Sequence, residues 1–161
     1  MKKIFTIVLL SVFCMVNAQA FKGKGDTKLS IGMLAQDHAT GIVAAADFGL
    51  GQNFSVGVLS SYLLGGSYIE DVDFKYKFDL KARFNANLGS VLNISPKFDL
   101  YPGLNLGLKN FGGHIGARYF FTDGFGLFAE FSAPFVKYDS DAASVYNNDN
   151  SFNFGASFNL D

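Results

Sequence analysis

The sequence predicts an all-β fold: an eight-stranded antiparallel up-and-down transmembrane β-barrel. Three observations predict it. Period-two alternation is clearest from Phe74 to Asn87. There Phe74, Tyr76, Phe78, Leu80, Ala82, Phe84 and Ala86 share one face, and Lys75, Lys77, Asp79, Lys81, Arg83, Asn85 and Asn87 the other. A helical period would scatter those charges around its axis. The expected strands are also long, matching the ~9–11 residues that cross a bilayer at a tilt rather than the ~5–6 of an ordinary strand. Finally, charges of both signs lie on strand faces instead of coating the turns.

Composition narrows the alternatives. A chain of 161 residues accommodates one domain. Charged residues make up 17% and hydrophobic residues 49%, with 18 Gly and 19 Phe, which excludes a disordered tail or a coiled coil. A net charge of −1 provides no electrostatic footprint for nucleic acid. No apolar run reaches the ~18 residues of a spanning helix, so any crossing must use strands.

Residues 1–20 read as a signal peptide and 21–161 as the barrel domain. Lys2 and Lys3 form a basic start, Ile4 to Val16 an apolar stretch, and Ala18 and Ala20 follow as small residues. Cleavage after Ala18 would leave Gln19 first; cleavage after Ala20 would leave Phe21. Cys14, the single cysteine, falls inside this segment as apolar filler. Ser11-Val12-Phe13 before it lack the small pair of a lipoprotein site. The mature chain is therefore expected to carry no thiol, disulfide or cysteine ligand. Losing Lys2 and Lys3 leaves 11 basic against 14 acidic residues, a charge of −3.

Strands are expected at 27–36, 41–50, 53–64, 72–87, 97–109, 112–121, 126–136 and 150–160. The first places Leu29, Ile31, Met33 and Ala35 on its apolar face. The second sets Ala44, Ala46, Phe48 and Leu50 against Asp47 and Gly49, and the third carries Phe54, Val56, Val58 and Tyr62. In the fifth, Phe98, Leu100, Leu104, Leu106 and Leu108 oppose Asp99, Tyr101, Asn105 and Lys109. The sixth and seventh place Ala117, Tyr119, Leu127, Ala129 and Phe131 opposite Arg118 and Glu130. The last sets Phe152, Phe154, Ala156, Phe158 and Leu160 against Asn153, Gly155, Ser157 and Asn159. Turn signals separate them: Asp37-His38, Gly51-Gln52-Asn53, Gly65-Gly66-Ser67, Asn110 with Gly112-Gly113, Thr122-Asp123-Gly124 and Asn147 to Asn150. A three-residue Asp123-Gly124-Phe125 loop would match faces and pair Arg118 with Glu130 across the strands. Pro102-Gly103 predicts a bulge, Pro134 a position near a strand end, and Gly89 to Ile94 a short helical turn.

Eight alternating strands fit two opposite solutions: a soluble carrier with its apolar face inward, or a membrane barrel with that face outward. Strand length and the mixed-sign row Lys75, Lys77, Asp79, Lys81, Arg83, Asp99, Arg118 and Glu130 favour the second, as ion pairs in a narrow lumen. Connections tend to alternate short and long, with 64–72 and 136–150 longer. Phe48, Phe54, Tyr62, Phe121 and Phe135 fall near strand ends, where interfacial girdles sit.

At this point the chain resembles the small OmpA/OmpX-type eight-stranded outer-membrane barrel proteins of the Bacteroidota kind. The stretch Gly112-Gly113-His114-Ile115-Gly116-Ala117-Arg118-Tyr119-Phe120-Phe121, continuing through Thr122-Asp123-Gly124-Phe125-Gly126-Leu127-Phe128-Ala129-Glu130, is similar to that family's penultimate hairpin. The pattern Asn153-x-Gly155-x-x-Phe158-x-Leu160 resembles the signal read by barrel-assembly machinery, although such signals usually end on the hydrophobic residue and here Asp161 follows. The resemblance implies an outer-membrane location, with lipid and the assembly machinery as partners, and little about a specific task.

Candidate chemistry is sparse. His114 is expected inward beside Arg118 and within range of Glu130, but no signature fixes a nucleophile with them. It reads as a lumen histidine, and His38 as a loop residue. The Lys75–Arg83 row could line an anion conduit, yet eight strands enclose a lumen that side chains fill. Asp139, Asp141 and Asp149 lack the spacing of a calcium loop. The sequence thus predicts a non-catalytic, monomeric barrel without cofactor or metal, structural or interactive through the 64–72 and 136–150 loops. Rival readings are a lipocalin-like periplasmic carrier of an apolar ligand, a lipid A-modifying enzyme and a narrow anion channel.

Overall fold

The computed structural model describes residues 19–66, 73–138 and 146–160. Eight strands form one closed sheet: β1 (Thr27–Gln36), β2 (Ala39–Gly49), β3 (Phe54–Gly66), β4 (Phe78–Ala86), β5 (Phe98–Gly107), β6 (Asn110–Phe120), β7 (Phe125–Lys137) and β8 (Ser151–Asn159). Each pairs antiparallel with the next, and β8 returns to β1 from Lys28–Asn159 to Gln36–Ser151. Closure leaves no sheet edge, so the ladder partners of every strand are internal. Two short helical turns interrupt the meander, α1 (Phe74–Lys77) before β4 and α2 (Gly89–Leu92) after it. The second lies where Gly89 to Ile94 predicted a turn.

Alternation survives in every strand. Ile31, Met33, Ile42, Phe84, Leu104, Ile115, Phe131 and Phe154 point outward, each about half exposed. Lys28, Asp47, Asp79, Arg83, Asp99, Arg118 and Glu130 point inward and are buried. The molecule is therefore apolar outside and ionic inside.

Four expectations need correction. Residues 74–77 form α1 instead of extending β4, so Lys75 and Lys77 leave the inward row; the Lys75 side chain is 68% exposed. The β6–β7 hairpin closes through Phe121 and Phe125, with Phe121 N–H donating to the Phe125 carbonyl at 2.9 Å. The three-residue loop is thus Thr122-Asp123-Gly124, one position earlier than expected. Arg118 faces Phe128, and Gly116 faces Glu130. A slip of two residues along the ladder leaves every side chain on its face, which is why face matching alone did not detect it. No bulge forms at Pro102: the β5–β6 register runs unbroken past Pro102–Ile115, while β4–β5 pairing ends at Asn85–Gly103, just before it. Pro134 lies near the end of β7, as expected, beside a bulge where Gly112–Pro134 is followed by Phe111–Val136 and Phe135 is the extra residue.

The lumen is also less uniformly polar than the sequence implied. Leu34, Ala39, Val43, Ala45, Leu59 and Leu63 from β1–β3 cluster with Phe128, and Tyr146 packs against them from beyond β7. Residues 1–18, 67–72 and 139–145, the last including Asp139 and Asp141, and Asp161 lie outside the described residues, and with them parts of the 64–72 and 136–150 loops.

Candidate functional site

The inward faces of five strands bring together Asp47 (β2), Arg83 and Asn85 (β4), Asp99 and Tyr101 (β5), His114 and Arg118 (β6), and Glu130 (β7). Arg83 bridges two carboxylates: its Nε lies 3.4 Å from Asp47 Oδ1 and its Nη2 2.6 Å from Glu130 Oε2. Arg118 bridges another two, with Nη1 3.4 Å from Asp47 Oδ2 and Nε 3.2 Å from Asp99 Oδ2. Asp47 is therefore shared. These side chains are at most 5% exposed. Both guanidiniums approach the Tyr101 ring, Arg118 at 4.2 Å and Arg83 at 5.8 Å from its centroid, a cation–π arrangement strengthened by desolvation.

Neutral groups complete the network. Asn85 Nδ2 donates to Asp47 Oδ1 and to Ser55 Oγ, both at 3.0 Å. Ser55 Oγ donates to Asn87 Oδ1 at 2.9 Å, and Asn87 Nδ2 donates to Asp99 Oδ2 at 2.8 Å. Asn153 Nδ2 reaches Glu130 Oε1 at 3.3 Å. Buried charges are tolerated only when paired and hydrogen-bonded in this way. The pairings of Arg118 are with Asp47 and Asp99, and Glu130 pairs with Arg83, so the cross-strand Arg118–Glu130 pair expected from sequence is replaced.

The remaining sequence candidates fall elsewhere. Lys81 and Asp79 form a pair at 3.6 Å towards the long-loop end. His114 Nε2 lies 3.0 Å from Arg83 Nη2 and 2.9 Å from Asn85 Oδ1. His38 occupies the β1–β2 turn at φ 68°. Asp149 pairs with Lys137 at 3.0 Å. Of the assembly-signal residues, Asn153 faces inward, Gly155 pairs with Gly32, Phe158 packs on Phe125 with ring centroids 5.7 Å apart, and Leu160 is exposed. Sequence reading missed Tyr101 as a ring contacted by two guanidiniums and Asp47 as the shared carboxylate. Both were already placed on the polar faces of their strands.

Among the described residues, side chains stopper both ends of the lumen. At the long-loop end, Asn110 Nδ2 donates to the Asn147 carbonyl at 3.0 Å and to Asn148 Oδ1 at 2.7 Å. Asn147, at φ 62°, donates through Nδ2 to the Tyr76 and Lys77 carbonyls and accepts from Ser61 Oγ. Lys109 donates to the Tyr76 carbonyl at 2.5 Å, and burial lowers its ammonium to about 8. Beneath this cap, a cavity bounded by Gln36, Ser61, Asn105, Glu130 and Asn153 measures only about 10 Å³, room for a single water. At the end carrying both termini, Lys28 pairs with Asp26, donates to Asn159 Oδ1 at 2.8 Å and lies over the Phe120 ring.

Apolar exterior, paired ionic interior and full closure define the class: an eight-stranded antiparallel barrel built inside-out relative to a soluble protein. The chain belongs to a family of unknown function, DUF6646, whose model matches residues 11–160. No curated protein matches it. Among solved structures, a chain described as "De novo design of transmembrane beta-barrels" superposes with a TM-score of 0.60 at 12% identity, covering 86% of this chain and 98% of that one. At that identity the likeness is one of fold.

Proposed function

We propose that this protein is an exported, monomeric outer-membrane barrel of the OmpA/OmpX type, non-catalytic and non-conducting, whose role is structural or interactive at the cell surface. One observation carries the reading: the face bearing Phe and Leu is exposed all around the barrel, while the ion pairs are enclosed. A soluble protein rarely leaves a contiguous apolar surface much beyond a few hundred Å² bare; hydrocarbon is the solvent that favours it. Aromatic rings support the same placement. Tyr62, Phe74 and Phe78 pack together near the long-loop end, as do Phe111 and Phe135. Tyr119, Phe121, Phe125 and Phe158 form a chain of contacts near the terminal end. Two such groups bracketing an aliphatic band are the girdles of a membrane barrel.

The sealed lumen argues against the carrier, since a ligand pocket occupies about 300–1,000 Å³ and the cavity beneath the cap is far smaller. It argues equally against a conduit. Asn153, Gly155, Phe158 and Leu160 serve in this reading as the signal for the assembly machinery, and the 64–72 and 136–150 loops as the surface for a partner. Membrane fractionation with the native leader tests the proposal. The folded protein should stay with membranes through carbonate and high salt, need detergent for release, and change gel mobility on heating. Release by carbonate alone would overturn it in favour of a soluble barrel.

A further inference from the structure

We infer that the mature chain begins at Gln19, the leader being removed at the Ala18–Gln19 bond and not after Ala20. This rests on the export reading above. The sequence leaves both bonds open, because each follows a small residue. The barrel distinguishes their products.

Ala20 belongs to the fold. It is 1% exposed and packs against Phe120, itself fully buried. Its N–H donates to the Pro96 carbonyl at 2.7 Å, tying the segment ahead of β1 to the β4–β5 connection. Phe21 follows, 9% exposed. Gln19 is exposed and lies at the rim of a cavity of about 310 Å³, beside Ser90, Asn93 and Ser95.

Hydrolysis adds one water across the peptide bond, leaving a carboxylate on the leader and an ammonium on the new first residue. An endopeptidase accepting small residues suffices; no other reactant is needed. A cut before Gln19 places that ammonium on an exposed residue, where it stays hydrated. A cut before Phe21 removes the donor to Pro96, uncovers Phe120 and places the ammonium on a buried residue. Asp26, the carboxylate of this segment, already accepts the Lys22 N–H at 2.7 Å and pairs with Lys28. A buried ammonium without a dedicated partner is costly.

Peptide mapping of the protein purified from membranes, after expression of the full chain in a Gram-negative host, tests this. The first peptide should start at Gln19; a start at Phe21 overturns the inference and leaves the export reading standing. A chain still beginning at Met1 would count against export itself. As a second measurement, barrels starting at Gln19 and at Phe21 are refolded into phosphatidylcholine vesicles and titrated with urea. The shorter should show a roughly tenfold lower folded-to-unfolded ratio, as loss of a buried hydrogen bond implies; equal ratios overturn the inference.

Discussion

Arg83→Met removes one guanidinium from the lumen while keeping most of its stem. Arg83 is the partner of Glu130 at 2.6 Å and one of two cations facing Asp47. Asp47 retains Arg118 at 3.4 Å, but Glu130, 2% exposed, keeps only neutral donors such as Asn153. Stranding a buried charge costs about 3–5 kcal/mol, a fall of roughly two to four orders of magnitude in the folding equilibrium constant. Urea titration of the barrel in phosphatidylcholine vesicles, with the folded fraction read from unheated gel mobility, measures it. The paired replacement Arg83→Met with Glu130→Leu should recover most of the loss, because removing both partners leaves no orphaned charge. A single-variant cost below ~1 kcal/mol, typical of a solvated surface pair, would refute the sealed lumen and indicate water around these charges.

Gly116 faces the Tyr101 ring so closely that an added Cβ would overlap it, and Tyr101 is held in contact with two guanidiniums. Gly116→Val should destabilise the barrel by at least ~1–3 kcal/mol in the same titration. Lys109 lies in the β5–β6 turn, outside the strands, and its folded-state value is lowered from 10.5 to about 8 by burial. Between those values the unfolded chain binds more protons, so stability should rise as pH rises from about 8 to 10.5. Lys109→Met should flatten that slope in heat-shift measurements across the window. In planar bilayers the intact protein should show no steady conductance; sustained openings would contradict the two stoppers.

Much of the barrel was legible because its signal is local. Alternation depends only on neighbouring residues, so the inward and outward sets of β1, β2, β5 and β8 are readable without knowing the partners. The α1 turn was not, since Phe74-Lys75-Tyr76-Lys77 continues the alternation of Phe78–Ala86 in phase, and only three-dimensional closure decides where the strand starts. The β6–β7 register escaped for a related reason: a shift by two preserves faces and costs nothing in pattern. Ion-pair partners depend on which strands meet across the lumen. Asp47, from β2, therefore contacts Arg83 and Arg118 from β4 and β6, a combination no hairpin reveals. The apolar sector was hidden by β2, where Ile42 and Val43 are adjacent and both hydrophobic, one pointing out and the other in.

The outward-hydrocarbon arrangement is tested most directly with a single fluorophore, because the chain contains no Trp. Phe131→Trp places an indole on the exposed outer wall, and Phe128→Trp places one at a buried inward position. With the barrel folded in vesicles of brominated phosphatidylcholine, emission from position 131 should be strongly quenched and emission from position 128 much less. Aqueous iodide should leave position 131 nearly unaffected. Strong iodide quenching at position 131, with no effect of the brominated chains, would show that the phenylalanine face meets water and would contradict the account.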